Sequence, residues 1–129
     1  HTRSSTGALS RLVDLGLDPY LIGAGLSGIM AQRLVRTLCD HCKKRTNETW
    51  IAQGCDQCHD TGYSGRTAIY EILVPDDRVL TMLEDGAGQQ AIQNHLLENT
   101  DFETLEQRGQ ELVDDGRTTR EEIKRVLNI

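Results

Sequence analysis

The sequence predicts an α/β fold that is mostly helical, with an inserted tetracysteine zinc knuckle and a small helical tail bundle. Three observations support this prediction: apolar residues recur at helical spacing near both ends of the chain, the stretch "GRTAIYEILV" has the β-branched and aromatic content of a strand, and two Cys-x-x-Cys pairs precede that stretch. At 129 residues, the chain can bury a modest core. We therefore expect the cysteines to support the fold without being its sole support.

The N-terminal part of the chain is predicted to be helical. Apolar residues at helical spacing indicate a first helix over residues 7–15, and Gly16 is placed to stop it. A second helix is predicted near Asp18-Pro19, because an aspartate N-cap followed by proline favours a helix start. The stretch "IMAQRLVRTL", residues 29–38, is predicted to be a further helix that reaches the cysteines.

The stretch "GRTAIYEILV" is predicted to be a buried strand that ends before Pro75 and Asp76. Thr118 and Glu121 are predicted to form a capping box near the C-terminus, because each side chain can satisfy a backbone donor at a helix start. Apolar spacing after the strand predicts four helices, over residues 77–85, 88–98, 102–115 and 119–127. These helices form the predicted tail bundle.

The strongest chemical signal is the set Cys39, Cys42, Cys55 and Cys58. The two pairs are separated by twelve residues, so two tight turns can each direct two thiolates at one tetrahedral ion. Zn²⁺ suits four thiolates, and four protein ligands leave no open position for water or substrate. We therefore predict a structural zinc site. Disulfides or free thiols remain the alternative, and a redox dithiol would need an exposed thiolate of low pKa.

Two histidines lie next to the cysteines. His41 is inside the first pair and His59 directly follows the second, so either imidazole could replace a thiolate as ligand. Because four thiols are available, we expect both imidazoles to be solvated. The predicted ligand set is therefore all sulfur.

The stretch "GAGLSG", Gly23 to Gly28, matches the G-x-G-x-x-G dinucleotide fingerprint. That fingerprint requires a preceding strand and a carboxylate about twenty residues later, and neither is predicted here. We favour the interpretation that the small residues of this stretch allow close helix packing. No phosphate loop of the form G-x-x-x-x-G-K-[ST] occurs. Gly23 and Gly28 have the spacing of its two glycines, but Ile29 and Met30 stand where the motif requires Lys and Ser or Thr.

The charge distribution bears on possible partners. The net charge is −6, and residues 71–129 carry six basic against fourteen acidic side chains, so this half is a poor polyanion binder. A free-standing zinc-ribbon module that binds nucleic acid stays open as an alternative, but we expect a solvated face and no nucleic-acid partner. That alternative rests on basic residues around the cysteines, namely Arg33, Arg36, Lys43, Lys44 and Arg45.

No apolar run approaches the roughly 20 residues that a membrane span needs, and no signal peptide begins the chain. We therefore expect a soluble, intracellular protein. The chain begins at His1 without an initiator methionine, and we expect it to be part of a longer protein.

Taken together, these motifs resemble a known family. The run "AQRLVRTLCDHC", a second Cys-x-x-Cys and then "TGYSGRTAIYEIL" are similar to the C-terminal part of the type II secretion and type IV pilus assembly ATPases, the general secretion pathway protein E family. The resemblance implies the C-terminal end of a RecA-like P-loop ATPase domain, whose phosphate loop and Walker B acid lie upstream. It also implies that the chain has four parts. These are the end of the RecA-like motor domain at residues 1–38, the tetracysteine zinc-binding insertion at 39–65, a strand that returns to the motor domain at 66–74, and the C-terminal helical bundle at 75–129.

The resemblance also implies site residues and cofactors. The four cysteines would be ligands of a structural Zn²⁺, and His1 and Arg66 would lie near the nucleotide in the intact protein. ATP and Mg²⁺ would bind only the full-length protein, which would be an ATPase, whereas this chain alone would be inactive because phosphoryl transfer needs a phosphate cradle and metal ligands that it lacks.

Partners and location follow from the same resemblance. The family implies a hexameric ring whose ATP hydrolysis drives pseudopilus assembly, so neighbouring subunits and an inner-membrane platform protein would be the partners. The protein would be cytoplasmic and held at the inner membrane through those partners. A type IV pilus assembly ATPase of the same family is the alternative function.

Overall fold

A computed structural model describes residues 2–129 and divides the chain into two compact units. The first unit comprises the segment up to Ala31 and Glu71–Thr104, and the second comprises Gln32–Tyr70 and Leu105–Ile129. The elements are, in chain order, α1 (Ser5–Asp14), α2 (Pro19–Gly25), β1 (Ile29–Leu38), β2 (Lys44–Arg45), β3 (Trp50–Ile51), a short 3-10 helix (Asp56–Cys58), β4 (Tyr63–Leu73), α3 (Asp77–Glu84), α4 (Gln89–Asn99), α5 (Leu105–Asp114) and α6 (Arg120–Leu127).

The predicted helix over "IMAQRLVRTL" is wrong, because this stretch is the strand β1, which pairs with β4 in a two-stranded sheet. Along β1, exposed residues alternate with partly buried ones, as at Met30, Gln32 and Leu34. Met, Gln, Arg and Leu are good helix formers, but propensity is a weak preference that pairing with another strand overrides. Cys39 therefore directly follows a strand.

The predicted strand is confirmed as β4, but it is buried on one face only. Ile69 and Leu73 are buried, whereas Tyr70 and Ile72 point the other way and are exposed. Alternation is the expected pattern for a strand with one covered face, since successive side chains point to opposite sides.

The first unit packs α1, α2, α3 and α4 around an apolar core. The predicted first two helices are confirmed, and Asp18 caps α2 as expected through a 2.8 Å bond from the Tyr20 N–H. Gly23 on α2 allows close packing, since a Cβ there would lie 2.8 Å from Leu80 of α3. The stretch "GAGLSG" begins inside α2 and no strand precedes it in the part of the chain that the structure describes, so the packing interpretation is favoured. The core residues are Leu9, Ile22, Leu73, Val79, Met82, Leu83, Ile92, Leu96 and Phe102.

The second unit contains the cysteine segment and the helix pair α5–α6. These two helices approach closely, because a Cβ on Gly109 would lie 2.9 Å from the Ile123 side chain. All four predicted tail helices are present; α3 and α4 belong to the first unit, and α5 and α6 belong to the second. The predicted boundaries at residues 38, 65 and 74 stay a prediction about the intact protein.

The start of α6 lies one residue later than predicted. The N-cap is Thr119, whose Oγ1 accepts a 3.1 Å bond from the Glu122 N–H, so the predicted capping box of Thr118 and Glu121 is wrong. Thr118 is buried and donates instead to the backbone oxygen of Arg36 at 2.7 Å. Within residues 2–129, none of the helices has the length and apolar character needed to span a membrane.

Candidate metal centre

The four cysteine sulfurs converge on one point. All four Sγ atoms lie within 4.8 Å of one another. The Sγ separations are 3.9 Å for Cys39–Cys55 and 3.8 Å for both Cys42–Cys58 and Cys55–Cys58. The two Cys-x-x-Cys pairs therefore contribute to one cluster.

The separations of the sulfurs distinguish a metal site from disulfides. A disulfide bond is about 2.0 Å long, so separations of 3.8–3.9 Å exclude the disulfide alternative in this structure, where all four cysteines are free. A tetrahedral ion with metal–sulfur bonds of about 2.3 Å has sulfur–sulfur edges of about 3.8 Å. The cluster fits a tetrahedral ion with four thiolate ligands.

Each pair is shaped by a tight turn. Directly after β1, the N–H groups of Cys42 and Lys43 donate to the Cys39 oxygen at 3.3 and 2.9 Å, which curls the first pair into a knuckle. The second knuckle contains the 3-10 helix that ends at Cys58, and the Asp60 N–H donates to the Cys55 oxygen at 2.9 Å. These turns bring the two thiols of each pair to the same side.

Gly62 joins the two knuckles. Its N–H donates to Cys58 Sγ at 3.1 Å, and its oxygen accepts from the Cys39 N–H at 2.9 Å. Its φ of +77° lies in the left-handed region, and a Cβ there would lie 2.6 Å from the Ala52 Cβ, so only glycine fits. The sequence indicated this residue only as part of a motif, and the structure shows why a glycine is needed.

The pKa values of Cys42 and Cys58 indicate that the protein surroundings of the cluster do not by themselves ionise all four cysteines. Burial would raise the pKa of Cys58, but the backbone N–H groups of Cys55 and Gly62 stabilise the thiolate and lower this pKa to about 6. Burial raises the pKa of Cys42 to about 12, and the neighbouring thiols add to this effect. A bound cation would stabilise the remaining thiolates, because metal ligands must be deprotonated.

The other predicted site residues lie outside the cluster. His41 and His59 are exposed, and neither belongs to the group of potential ligands found among residues 2–129. Arg66 is exposed on β4. His1 lies outside the described residues, so the nucleotide-binding role of Arg66 and His1 stays a prediction.

The predicted basic cluster is partly occupied by contacts within the chain. The Arg36 guanidinium pairs with Glu122 at 2.7 Å and lies 4.2 Å from the centre of the Tyr63 ring. Lys43 pairs with Asp40 at 2.7 Å. Two of the five basic residues therefore pair with carboxylates of the same chain, and the expectation of no nucleic-acid partner stays a prediction.

Sequence reasoning missed the buried carboxylate of Glu122. Both of its oxygens accept hydrogen bonds from the guanidinium groups of Arg36 and Arg125. Burial would raise the pKa of this carboxyl, but the hydrogen bonds and charges of the two arginines lower it to about 2. The one signal in the sequence is local: Arg125 lies three residues after Glu122, a spacing that places both on one helix face.

Comparison with known proteins finds similarity to secretion system proteins. The family described as "Type II/IV secretion system protein" matches residues 1–125. Type II secretion system protein HxcR of Pseudomonas aeruginosa is 39% identical over 126 residues, and type II secretion system ATPase E of Vibrio cholerae is 38% identical over 143 residues. Type II secretion system protein E of Dickeya dadantii is 40% identical over 141 residues.

These alignments cover nearly all of this chain and a small part of each relative. Each includes 98% of the chain, but only 27% of HxcR and 28% of the other two proteins. The chain therefore spans a little more than a quarter of the length of these relatives.

Proposed function

The chain belongs to the type II/IV secretion system protein family, and we propose that it is the C-terminal part of an ATPase that powers type II protein secretion. In this proposal, the longer protein hydrolyses ATP to drive pseudopilus assembly, and this part completes a RecA-like motor domain. The part described here supplies a structural metal site and contacts with other subunits. The carrying observation is the closed four-thiolate cluster inside a chain that matches this family over residues 1–125.

Zinc is the ion that we propose for Cys39, Cys42, Cys55 and Cys58. Four thiolates are soft ligands that favour Zn²⁺, and the sulfur separations of 3.8–3.9 Å suit its tetrahedral geometry. When bound, the ion would cross-link the two knuckles and offset the negative charge of the thiolates. Because four protein ligands fill the tetrahedron, the site is proposed to be structural and not hydrolytic.

ATP and Mg²⁺ are proposed to bind mainly to upstream residues of the longer protein. Phosphoryl transfer needs a phosphate cradle and Mg²⁺ ligands, and the sequence of this chain contains no phosphate loop. His1 and Arg66 are proposed to approach the nucleotide from this part of the protein. This chain by itself is expected to have no ATPase activity.

The proposed partners are neighbouring subunits of a hexameric ring and the inner-membrane platform protein of the secretion system. The surface proposed for these contacts is the cysteine segment, whose β2–β3 hairpin exposes Lys44, Arg45 and Ile51. The protein is then proposed to lie in the cytoplasm, at the inner membrane. The family description includes both system types, so assembly of a type IV pilus is the second candidate.

Replacement of the ligands in the longer protein tests this proposal. We expect the double variant Cys39→Ser, Cys42→Ser to lose its bound zinc and to fail to restore secretion in a strain without the ATPase. The control His41→Ala lies between the same two cysteines and is expected to keep both zinc and secretion. Full secretion by the double variant would refute the structural role. Rescue of pilus assembly but not of secretion by the unaltered protein would select the second candidate.

A further inference from the structure

The turn between α5 and α6 holds both ends of the first cysteine knuckle. The N–H of Leu38, directly before Cys39, donates to the Arg117 oxygen at 2.8 Å. The Nζ of Lys43, directly after Cys42, donates to the Gly116 oxygen at 3.3 Å. Two consecutive carbonyl groups of the turn therefore fix the two residues that flank the knuckle.

The same turn packs against the loop between the two cysteine pairs. Trp50 begins β3 in this loop, and a Cβ on Gly116 would lie only 2.5 Å from its Nε1. Lys43 Nζ and Arg45 Cζ lie 5.3 and 6.0 Å from the centre of the Trp50 ring, within range of a cation–π contact. The indole therefore lies close both to the turn and to two basic side chains of the cysteine segment.

The strands that flank the cysteine segment also contact this turn. Thr118 Oγ1 donates to the Arg36 oxygen on β1 at 2.7 Å. The hydroxyls of Tyr63, the first residue of β4, and Thr119 lie 2.6 Å apart. The turn thus receives contacts from the strand before the cysteines, the loop between them and the strand after them.

We propose that the turn Gly116–Thr119 is a positioning element of the metal centre, so that metal binding and docking of the α5–α6 pair stabilise each other. This inference rests on the proposed function in one respect, namely that the four thiolates bind zinc. It goes further by assigning the metal site a structural target, the C-terminal helix pair. Because coupling is reciprocal, docking of the turn must strengthen zinc binding by the same factor by which zinc strengthens docking, and a variant that undocks the turn loses this factor.

The physical reason lies in what the ion holds together. Without a cation, no bond joins the sulfurs of the first knuckle to those of the second, and the first knuckle can move away from the second. Such a movement would displace Leu38 and Lys43, which are hydrogen-bonded to the turn, and the loop that carries Trp50. With the ion bound, these three contacts are fixed in the arrangement that the turn requires.

Two variants with a matched control test the inference. Gly116→Ala places a methyl group against Trp50 at a residue with φ +68°, whereas Gly86→Ala introduces a similar strain at φ +76° with no atom within 4 Å of the new Cβ. Thr118→Val keeps the side-chain shape and removes the hydrogen bond to Arg36. We expect both turn variants to weaken zinc binding, measured by competition with a chelator, by about 5- to 150-fold. The Gly86→Ala variant is expected to bind zinc as tightly as the unaltered chain.

Hydrogen exchange supplies the reciprocal measurement. Adding one equivalent of zinc to the metal-free chain is expected to slow amide exchange in α5 and α6 by about the same factor. Trp50 is the only tryptophan, so its fluorescence emission reports whether the loop is docked on the turn.

The outcomes separate this inference from the zinc proposal. Stoichiometric zinc binding with unchanged exchange in α5 and α6, and with equal affinities in all three variants, would overturn the coupling and leave the zinc site intact. A chain that binds no zinc would overturn both. Slower exchange together with weaker binding in both turn variants would support the coupling.

Discussion

Replacing Glu122 by glutamine tests the buried ion-pair network that fixes α6. The Glu122 side chain is 0% exposed, and it accepts hydrogen bonds from both guanidinium groups and from the Arg36 backbone N–H at 2.9 Å. Burial opposes ionisation, but the bonds from Arg125 and Arg36 outweigh it and lower the pKa of this carboxyl from 4.5 to about 2. The variant Glu122→Gln keeps the shape of the side chain and removes its charge.

The size of the effect follows from the pKa. A fall from 4.5 to about 2 corresponds to about 3 kcal/mol of the free energy of unfolding. Because the pKa is lower in the folded state, this stabilisation is present above pH 4.5 and is lost as the pH falls toward 2. Arg36 and Arg125 are 42% and 58% exposed, so water can solvate them in the variant. We therefore expect the variant to lose about 2–3 kcal/mol at pH 7.

Urea unfolding between pH 7 and pH 2.5 measures this loss. The control is Glu121→Gln, since Glu121 is the preceding residue on the same helix and is exposed. We expect the control to change the free energy of unfolding by less than about 0.5 kcal/mol. The difference between Glu122→Gln and the control is expected to shrink as the pH falls. A Glu122→Gln variant as stable as the control at pH 7, or a difference that acid leaves unchanged, would refute the reasoning.

Two further substitutions test the junction of the knuckles and the start of α1. Gly62→Ala is expected to lower the free energy of unfolding by about 1–3 kcal/mol and to weaken zinc binding, because the φ of +77° and the Ala52 Cβ exclude a side chain. Thermal unfolding measures the first effect and competition with a chelator measures the second. A variant with normal zinc affinity would contradict this prediction. Glu71 is 3% exposed and accepts from Ser5 N at 2.7 Å and Ser5 Oγ at 2.6 Å. Glu71→Ala is therefore expected to destabilise the protein by about 1–3 kcal/mol. Ser5→Ala keeps the backbone donor and should destabilise it less. Urea unfolding measures both, and equal midpoints for the unaltered chain and Glu71→Ala would contradict a stabilising role of this carboxylate.

Local patterns in the sequence were sufficient for most helices and for the cysteine cluster. The helix starts at Asp18 and Asp76 depend on side chains that bond backbone groups within three residues, so their signals are present in short stretches of sequence. The convergence of the two Cys-x-x-Cys pairs could be predicted for the same reason, because each pair needs only one tight turn to present two thiols.

Features that depend on distant partners could not be predicted. β1 is a strand because it pairs with β4, and nothing in the composition of residues 29–38 indicates that partner. Glu122 is buried because Arg36, 86 residues earlier, lies beside it. The contacts of Gly116 with Trp50 are likewise invisible in sequence, since only the folded chain brings the turn to the cysteine loop.

X-ray absorption at the zinc edge, combined with metal content per chain, tests the four-thiolate zinc site most directly. The purified chain is predicted to contain one zinc ion with four sulfur neighbours at about 2.3 Å, all supplied by Cys39, Cys42, Cys55 and Cys58. Nitrogen neighbours at about 2.0 Å would instead place His41 or His59 among the ligands. A chain that binds no zinc and has four titratable thiols would contradict the account.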